Sequence, residues 1–110
     1  ITAGRVCYEL MPRERLTGFR DALPASDLWT LAAVFYLALT GSYPRDSDGQ
    51  DPLAAVLNGE AVPIRRRNRS IPLAAAAALD RALRSDLKRR YPSAAEMLKD
   101  WERWRDSAVE

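Results

Sequence analysis

The sequence predicts an all-α chain, and three observations support that prediction. Apolar residues recur at helical spacing in separate segments, and good helix-start and helix-stop residues flank those segments. No segment alternates apolar and polar residues as a half-buried strand does. The 110 residues correspond to one domain or to part of one. Because the chain begins with Ile1 rather than Met, we expect it to be a fragment.

The first quarter of the chain, residues 1–25, is expected to be irregular because proline and glycine interrupt it. Helical spacing begins at Ser26, a favourable N-cap residue, and at Asp27, an acidic residue for the first turn. A central helix is therefore predicted over 26–41. Its end at Gly41 suits the left-handed position that follows a helix.

Three further helices are predicted after the central one. An aspartate–proline pair starts a helix over 51–59, and a second proline opens one over 72–86. The last helix, over 93–107, begins with Ser93 and Glu96 at the spacing of a capping box. The connections between these helices are long and carry the proline, glycine and clustered arginine residues.

The composition excludes several classes of function. With no histidine and one cysteine, Cys7, the chain lacks the residues for most metal sites, histidine-assisted nucleophiles or an internal disulfide. The net charge of +2 does not indicate a nucleic-acid partner, and the arginines at 65–69 have no interleaved aromatic residues. No apolar run approaches the roughly 20 residues of a membrane helix, so we expect no membrane segment and a cytoplasmic location.

The central helix is unusual because apolar residues cover nearly every face between Leu28 and Leu39. Such a helix is normally enclosed by protein on all sides. Three other helices of modest length hardly enclose it, so we expect packing partners outside this chain. When the chain is alone, the exposed side of the helix should drive self-association.

Three segments, in this order and at this spacing, follow a known pattern. They are PASDLWTLAAVFYLALTG (24–41), DPLAAVLNGEAVPIRRRNRSIP (51–72) and LDRALRSDLKRRYPSAAEML (79–98). Together they resemble the C-terminal half of the large lobe of a bacterial-type serine/threonine protein kinase. The resemblance covers almost the whole chain and implies that residues 1–25 are the end of the activation segment. The helices after it are then the helical end of that lobe.

The resemblance also implies roles for single residues near the start of the chain. Gly4, Arg5 and Tyr8 correspond to a remnant of the segment that receives the protein substrate, with Arg5 in place of the family's threonine. Glu14 is implied to form a buried ion pair with the arginine before the last helix, here Arg90. The alternative for Glu14 and Arg90 is a solvated pair among many exposed charges.

Asp27 and Trp29 are implied to anchor the central helix. The resemblance suggests that Asp27 accepts hydrogen bonds from the backbone of the catalytic loop, besides its ordinary role at a helix start. Trp29 is expected in the core, where a large aromatic side chain contributes much of the buried area.

For function, the resemblance implies a parent transferase that moves phosphate from MgATP to serine or threonine of a protein. The ATP-binding and catalytic residues of that family all precede this segment, so we expect no catalytic, cofactor-binding or metal-binding residue here. The expected partners are the remainder of the kinase domain and a protein substrate or regulatory partner. Arg5 and the distorted Pro-Arg-Glu stretch at 12–14 leave a pseudokinase scaffold open as the alternative. Arg45 also departs from the family, in which a phenylalanine follows the residue matched by Pro44. A free-standing helical interaction domain is the third possibility.

Overall fold

Four α-helices and three short 3₁₀ turns form the described part of the chain, residues 8–16, 24–46, 49 and 51–109 of a computed structural model. The helices are α1 (Pro24–Thr40), α2 (Pro52–Asn58), α3 (Leu73–Ala82) and α4 (Ala94–Val109). The 3₁₀ turns are Tyr8–Leu10, Arg13–Arg15 and Ile64–Arg66. These residues form no strand, so the all-α prediction is confirmed. Among the same residues, every helix is too short or too polar to span a membrane.

Local signals set two helix ends where the sequence predicts them. Gly41 has a φ of +75°, the left-handed conformation, and its N–H donates to Leu37 O at 2.8 Å. This bond closes the last turn of α1. At the start of α2, the Asp51 carboxylate accepts a hydrogen bond from the N–H of Leu53 at 3.2 Å.

The start of α1 differs from the prediction. The helix begins at Pro24, so Ser26 lies inside the first turn rather than at the N-cap. The Ser26 hydroxyl donates instead to Glu14 Oε2 at 2.5 Å. The hydroxyl that was expected to cap the helix locally therefore bonds to Glu14, 12 residues away.

The end of α3 also differs, because the helix stops at Ala82 rather than at residue 86. Beyond it, the carbonyl oxygens of residues 83–85 accept hydrogen bonds from two side chains outside the helix, one 54 residues away and one five to six residues away. Those donors are the indole of Trp29 and the guanidinium of Arg90. The backbone is no longer helical here, and its carbonyl oxygens bond to side-chain donors that the helical spacing of apolar residues does not predict.

The core lies between α1 and α3, and short side chains make up much of it. Ala32 and Ala33 of α1 share one buried cluster with four alanines of α3 (Ala75, Ala76, Ala78 and Ala82). The large members of that cluster include Trp29 and Tyr36. Trp29 thereby reaches the loop after α3, the loop that carries Arg90.

Candidate functional site

A buried ion pair joins Glu14, in the second 3₁₀ turn, to Arg90, in the loop before α4. Arg90 Nη1 lies 2.6 Å from Glu14 Oε2, and Nη2 lies 3.1 Å from Oε1. The guanidinium therefore holds the carboxylate through two hydrogen bonds. The side chains are 0% and 3% exposed for Arg90 and Glu14, which excludes the solvated alternative. The structure brings together the two residues that the resemblance pairs.

Every N–H of the Arg90 guanidinium has an acceptor. Besides the two bonds to Glu14, Nε donates to Arg84 O at 2.7 Å, Nη1 to Ala25 O at 3.2 Å and Nη2 to Ser85 O at 3.3 Å. Two and three bonds make five, the full number of N–H donors that an arginine has. A buried charge is tolerated when it is paired and hydrogen-bonded in this way. The network fixes the second 3₁₀ turn, the start of α1 and the loop before α4 to one another.

The carboxyl of Glu14 is held in its ionised form. Burial alone would raise the pKa of Glu14, but the hydrogen bonds from Arg90 and from the Ser26 hydroxyl outweigh it. The pKa of Glu14 is therefore lowered from its ordinary value. Sequence reasoning missed Ser26 as a donor in this network, since Glu14 and Ser26 are 12 residues apart and share no motif.

The two residues predicted to anchor the central helix have different surroundings. Trp29 is fully buried, and its indole N–H donates to Leu83 O at 3.0 Å. Asp27 is exposed on the first turn of α1, with Arg15 Nη2 at 3.7 Å from its carboxylate. An exposed ion pair of this kind contributes little stability. The carboxylate of Asp27 thus remains accessible to donors from another segment.

The predicted substrate-segment residues lie only partly within the described chain. Tyr8 is half-buried in the first 3₁₀ turn, whereas Gly4 and Arg5 lie outside the described residues. The segment after Tyr8 is held by side chains from elsewhere in the fold. The Thr30 hydroxyl donates to Leu10 O at 3.0 Å, and Arg45 Nη1 donates to Met11 O at 2.7 Å.

An open groove lies between α1 and α4, beside the buried face of α1. Its volume is about 490 Å³, and its lining is almost wholly apolar. Leu31, Phe35 and Leu98 are 51%, 50% and 54% exposed in it, although each is a large apolar residue. Adjacent exposed apolar residues of this size mark an interaction surface. The lining residues, called the open groove below, are Leu28, Leu31, Phe35, Leu39, Leu79, Ala94, Ala95, Met97, Leu98 and Trp101.

The ion pair and the open groove are suited to two different tasks. The ion pair of Glu14 and Arg90 fixes an N-terminal segment to the helices, and the open groove offers apolar surface to another protein segment. Among the described residues, no group of histidine, cysteine, aspartate or glutamate is arranged to hold a metal ion. No protein-family model and no curated protein matches the chain.

Proposed function

We propose that this chain is the C-terminal part of the large lobe of a serine/threonine protein kinase domain. In that parent, a cytoplasmic transferase, it would hold the activation segment and the protein substrate while phosphate moves from MgATP to serine or threonine. The observation that carries the proposal is the buried pair of Glu14 and Arg90, with 2.6 Å between Oε2 and Nη1. In the family that the sequence resembles, such a pair fixes the end of the activation segment to the lobe.

The burial of this pair makes it informative. Taking two charges out of water costs several kcal/mol for each ion, which only close geometry and further hydrogen bonds offset. Surface ion pairs, by contrast, form and vary at little cost in free energy. Arg90 uses all five of its donors and pairs with a carboxylate 76 residues away. Such an arrangement has a specific structural purpose.

The open groove supports the same proposal. Fully burying a leucine or phenylalanine contributes about 1.5–3 kcal/mol, so three such residues left half exposed forfeit roughly 2–5 kcal/mol. That amount is a substantial part of the stability of a small domain. A preceding half of the lobe packed on α1 and α4 would recover it. We therefore assign the remainder of the kinase domain as the partner of the groove, and self-association as its substitute when the chain is alone.

In this proposal the chain supplies position rather than phosphoryl-transfer chemistry. The glycine-rich loop, the lysine, the catalytic aspartate and the metal-binding aspartate belong to the preceding part of the domain, where MgATP would bind. The ion pair would hold the segment around Tyr8 on the substrate side. The exposed carboxylate of Asp27 would accept hydrogen bonds from the catalytic loop.

One observation favours a pseudokinase that acts as a scaffold or regulator. Arg45 stands where the family has a phenylalanine, and it ties Met11 O to the loop after α1 through a 2.7 Å hydrogen bond. A side chain foreign to the family thus holds the substrate segment. A segment held in this way can serve as a stable surface for docking another protein, and it does not have to take part in phosphotransfer.

The test is phosphotransfer by the full-length protein that contains this chain. With MgATP and a general protein substrate, we expect labelled phosphoserine or phosphothreonine, a loss of at least tenfold in Arg90→Ala, and no loss in Arg89→Ala. Binding of MgATP without transfer would favour the pseudokinase. Neither binding nor transfer, together with a monomeric chain that binds no hydrophobic dye, would favour the free-standing interaction domain and contradict both proposals.

A further inference from the structure

Three arginines between α2 and α3 line one open pocket at the surface of the chain. The pocket has a volume of about 400 Å³. Its lining residues, called the arginine pocket below, are Pro63, Arg65, Arg66 and Arg69. Like charges gathered around one pocket repel one another, and an anion bound between them removes that repulsion.

No acidic side chain of the described residues neutralises the arginine pocket. None of its three arginines forms an ion pair within the described part of the chain. The sequence has no aspartate or glutamate between Glu60 and Asp80, the stretch that contains the pocket. Glu60 is bound to Arg13 at 2.9 Å. Asp80 accepts a hydrogen bond from the N–H of Ile64 at 3.0 Å, and the charge that acts on its carboxylate is that of Arg84.

Arg67, the fourth arginine of this stretch, does not belong to the pocket. It donates to Tyr43 O, and its guanidinium lies 5.6 Å from the ring centroid of Tyr36. Its contacts are therefore with α1 and the loop after α1, the loop that also carries Asp46. Neither Arg67 nor Asp46 lines the arginine pocket. The three positive charges of the pocket thus remain after the described carboxylates around it have been counted.

The fold holds the arginine pocket in a defined shape. The 3₁₀ turn Ile64–Arg66 is anchored by Ile64, which is fully buried in the core. Arg65 Nη2 donates to Arg69 O at 3.2 Å, so two of the three arginines are linked directly. Arg65 Nε is buried and has no hydrogen-bond partner among the described residues. A buried donor of a charged group without an acceptor is unfavourable, and a ligand oxygen would satisfy it.

We propose that the arginine pocket binds the phosphate group of a phosphorylated serine or threonine in another protein. Guanidinium groups match phosphate oxygens through paired hydrogen bonds, and clusters of arginines recognise phosphorylated residues in this way. A phosphate monoester carries close to two negative charges at neutral pH, which suits three unpaired cations better than one carboxylate does. Arg65 supplies its Nε donor, and Arg66 and Arg69 supply donors for the remaining oxygens.

The lining favours a phosphopeptide over other molecules that carry phosphate. Since about 10–15 Å³ of such volume holds one water, the pocket exceeds one phosphate group and has room for the residue that bears it. The lining has no aromatic side chain on which single-stranded nucleic acid could stack its bases. Only Pro63 is apolar, so the pocket offers little surface that could enter a bilayer. The proposal uses no residue of the ion pair or of the open groove and is therefore independent of kinase activity.

The test is NMR titration of the isotope-labelled protein with glycine–alanine heptapeptides that carry serine, glutamate or phosphoserine at the centre. The phosphoserine peptide should bind about tenfold more tightly than either other peptide, or better, and should shift the amide signals of residues 65–69. Arg66→Gln and Arg69→Gln, at exposed positions, should each lower its affinity about tenfold. Arg89→Gln is the matched control and should leave the affinity unchanged, since Arg89 is exposed and pairs with Asp86.

Several outcomes would overturn the proposal. Equal affinity for the serine and phosphoserine peptides would do so, and so would an equal loss of affinity in Arg89→Gln. Inorganic phosphate, a uridine trinucleotide and vesicles that contain phosphatidylserine are titrated in parallel. Binding of any of these at residues 65–69 as tight as that of the phosphoserine peptide would assign the pocket to that ligand instead.

Discussion

The two faces of α1 follow opposite principles. On the buried face, Trp29 and Tyr36 are fully enclosed, and each has its polar atom bonded to a backbone carbonyl, at 3.0 Å and 2.8 Å. On the face toward the open groove, Leu31 and Phe35 carry no polar atom and remain about half exposed. The polar atoms of Trp29 and Tyr36 are thus enclosed, whereas the apolar side chains of Leu31 and Phe35 are left partly in water.

One face of α1 therefore contributes to the stability of the chain, and the other face offers a surface for binding. The buried face holds the chain together, because its side chains reach the 3₁₀ turns and the loop before α4. The face toward the open groove contributes surface that a further protein segment can cover. Substitutions on the two faces should therefore change different measured quantities.

The largest effect is expected from Arg90→Ala. Removal of one partner of a buried ion pair strands the other charge, so the free energy of unfolding should fall by about 3–5 kcal/mol. Arg89→Ala is the matched control, since Arg89 is 72% exposed and pairs with Asp86 at 3.8 Å. Urea unfolding of both variants measures the difference. If both variants lost a similar amount of unfolding free energy, the buried network would contribute no more stability than an exposed ion pair does.

A smaller effect is expected from Trp29→Phe. The change removes the indole N–H and leaves Leu83 O without its 3.0 Å hydrogen bond in a buried position. We expect the free energy of unfolding to fall by about 1–3 kcal/mol, the cost of a stranded buried polar group. Phe35→Leu, on the face toward the groove, serves as the control and should cost less. A reversed order would contradict the division between the two faces.

Acid should weaken the buried network with a predictable sign. Because folding lowers the pKa of Glu14, the unfolded chain binds that proton more tightly than the folded chain does. The contribution of Glu14 is therefore complete above its ordinary pKa of 4.5 and is lost as the pH falls through the folded value. Urea unfolding at a series of pH values measures this slope.

Two variants assign the acid sensitivity to its residue. Glu14→Gln should flatten the slope below pH 4.5, whereas Glu60→Gln, at an exposed carboxylate paired with Arg13, should leave it unchanged. A slope that persists in Glu14→Gln would assign the acid sensitivity to other groups.

The smallest effect on unfolding is expected in the open groove. Leu31→Gln should change the free energy of unfolding by no more than about 0.5 kcal/mol, as exposed positions do. It should nevertheless reduce self-association in analytical ultracentrifugation and reduce binding of a hydrophobic dye. Leu73→Gln is the control, since Leu73 is 72% exposed but lies outside the groove. An identical effect of both variants would remove the groove as the site of association.

Local chemistry accounts for what the sequence predicted about the fold. Gly41 and Asp51 act on backbone groups within four residues, so their residue types were enough to place an end of α1 and the start of α2. The loop that follows α3 accepts a hydrogen bond from Trp29, 54 residues away, and Ser26 donates to Glu14, 12 residues away. No local pattern carries that information.

The candidate site divides in the same way. The pairing of Glu14 with Arg90 came from the resemblance, since spacing alone does not connect residues 76 apart. Arg45 was visible only as a departure after Pro44, and its burial against Trp29 could not be deduced from that. An arginine in a loop is usually exposed, so its residue type favoured an exposed side chain rather than a buried one.

The 76-residue span of the ion pair has a consequence for folding kinetics. Closing a long loop costs entropy that rises with the logarithm of its length, and contacts of high sequence separation slow the search for the native state. The turn that carries Glu14 cannot complete its contacts on the ribosome until Arg90 has emerged. An interaction made late, after the transition state, leaves the folding rate almost unchanged and slows unfolding. The pair should therefore govern the lifetime of the native chain more than the speed at which that chain forms.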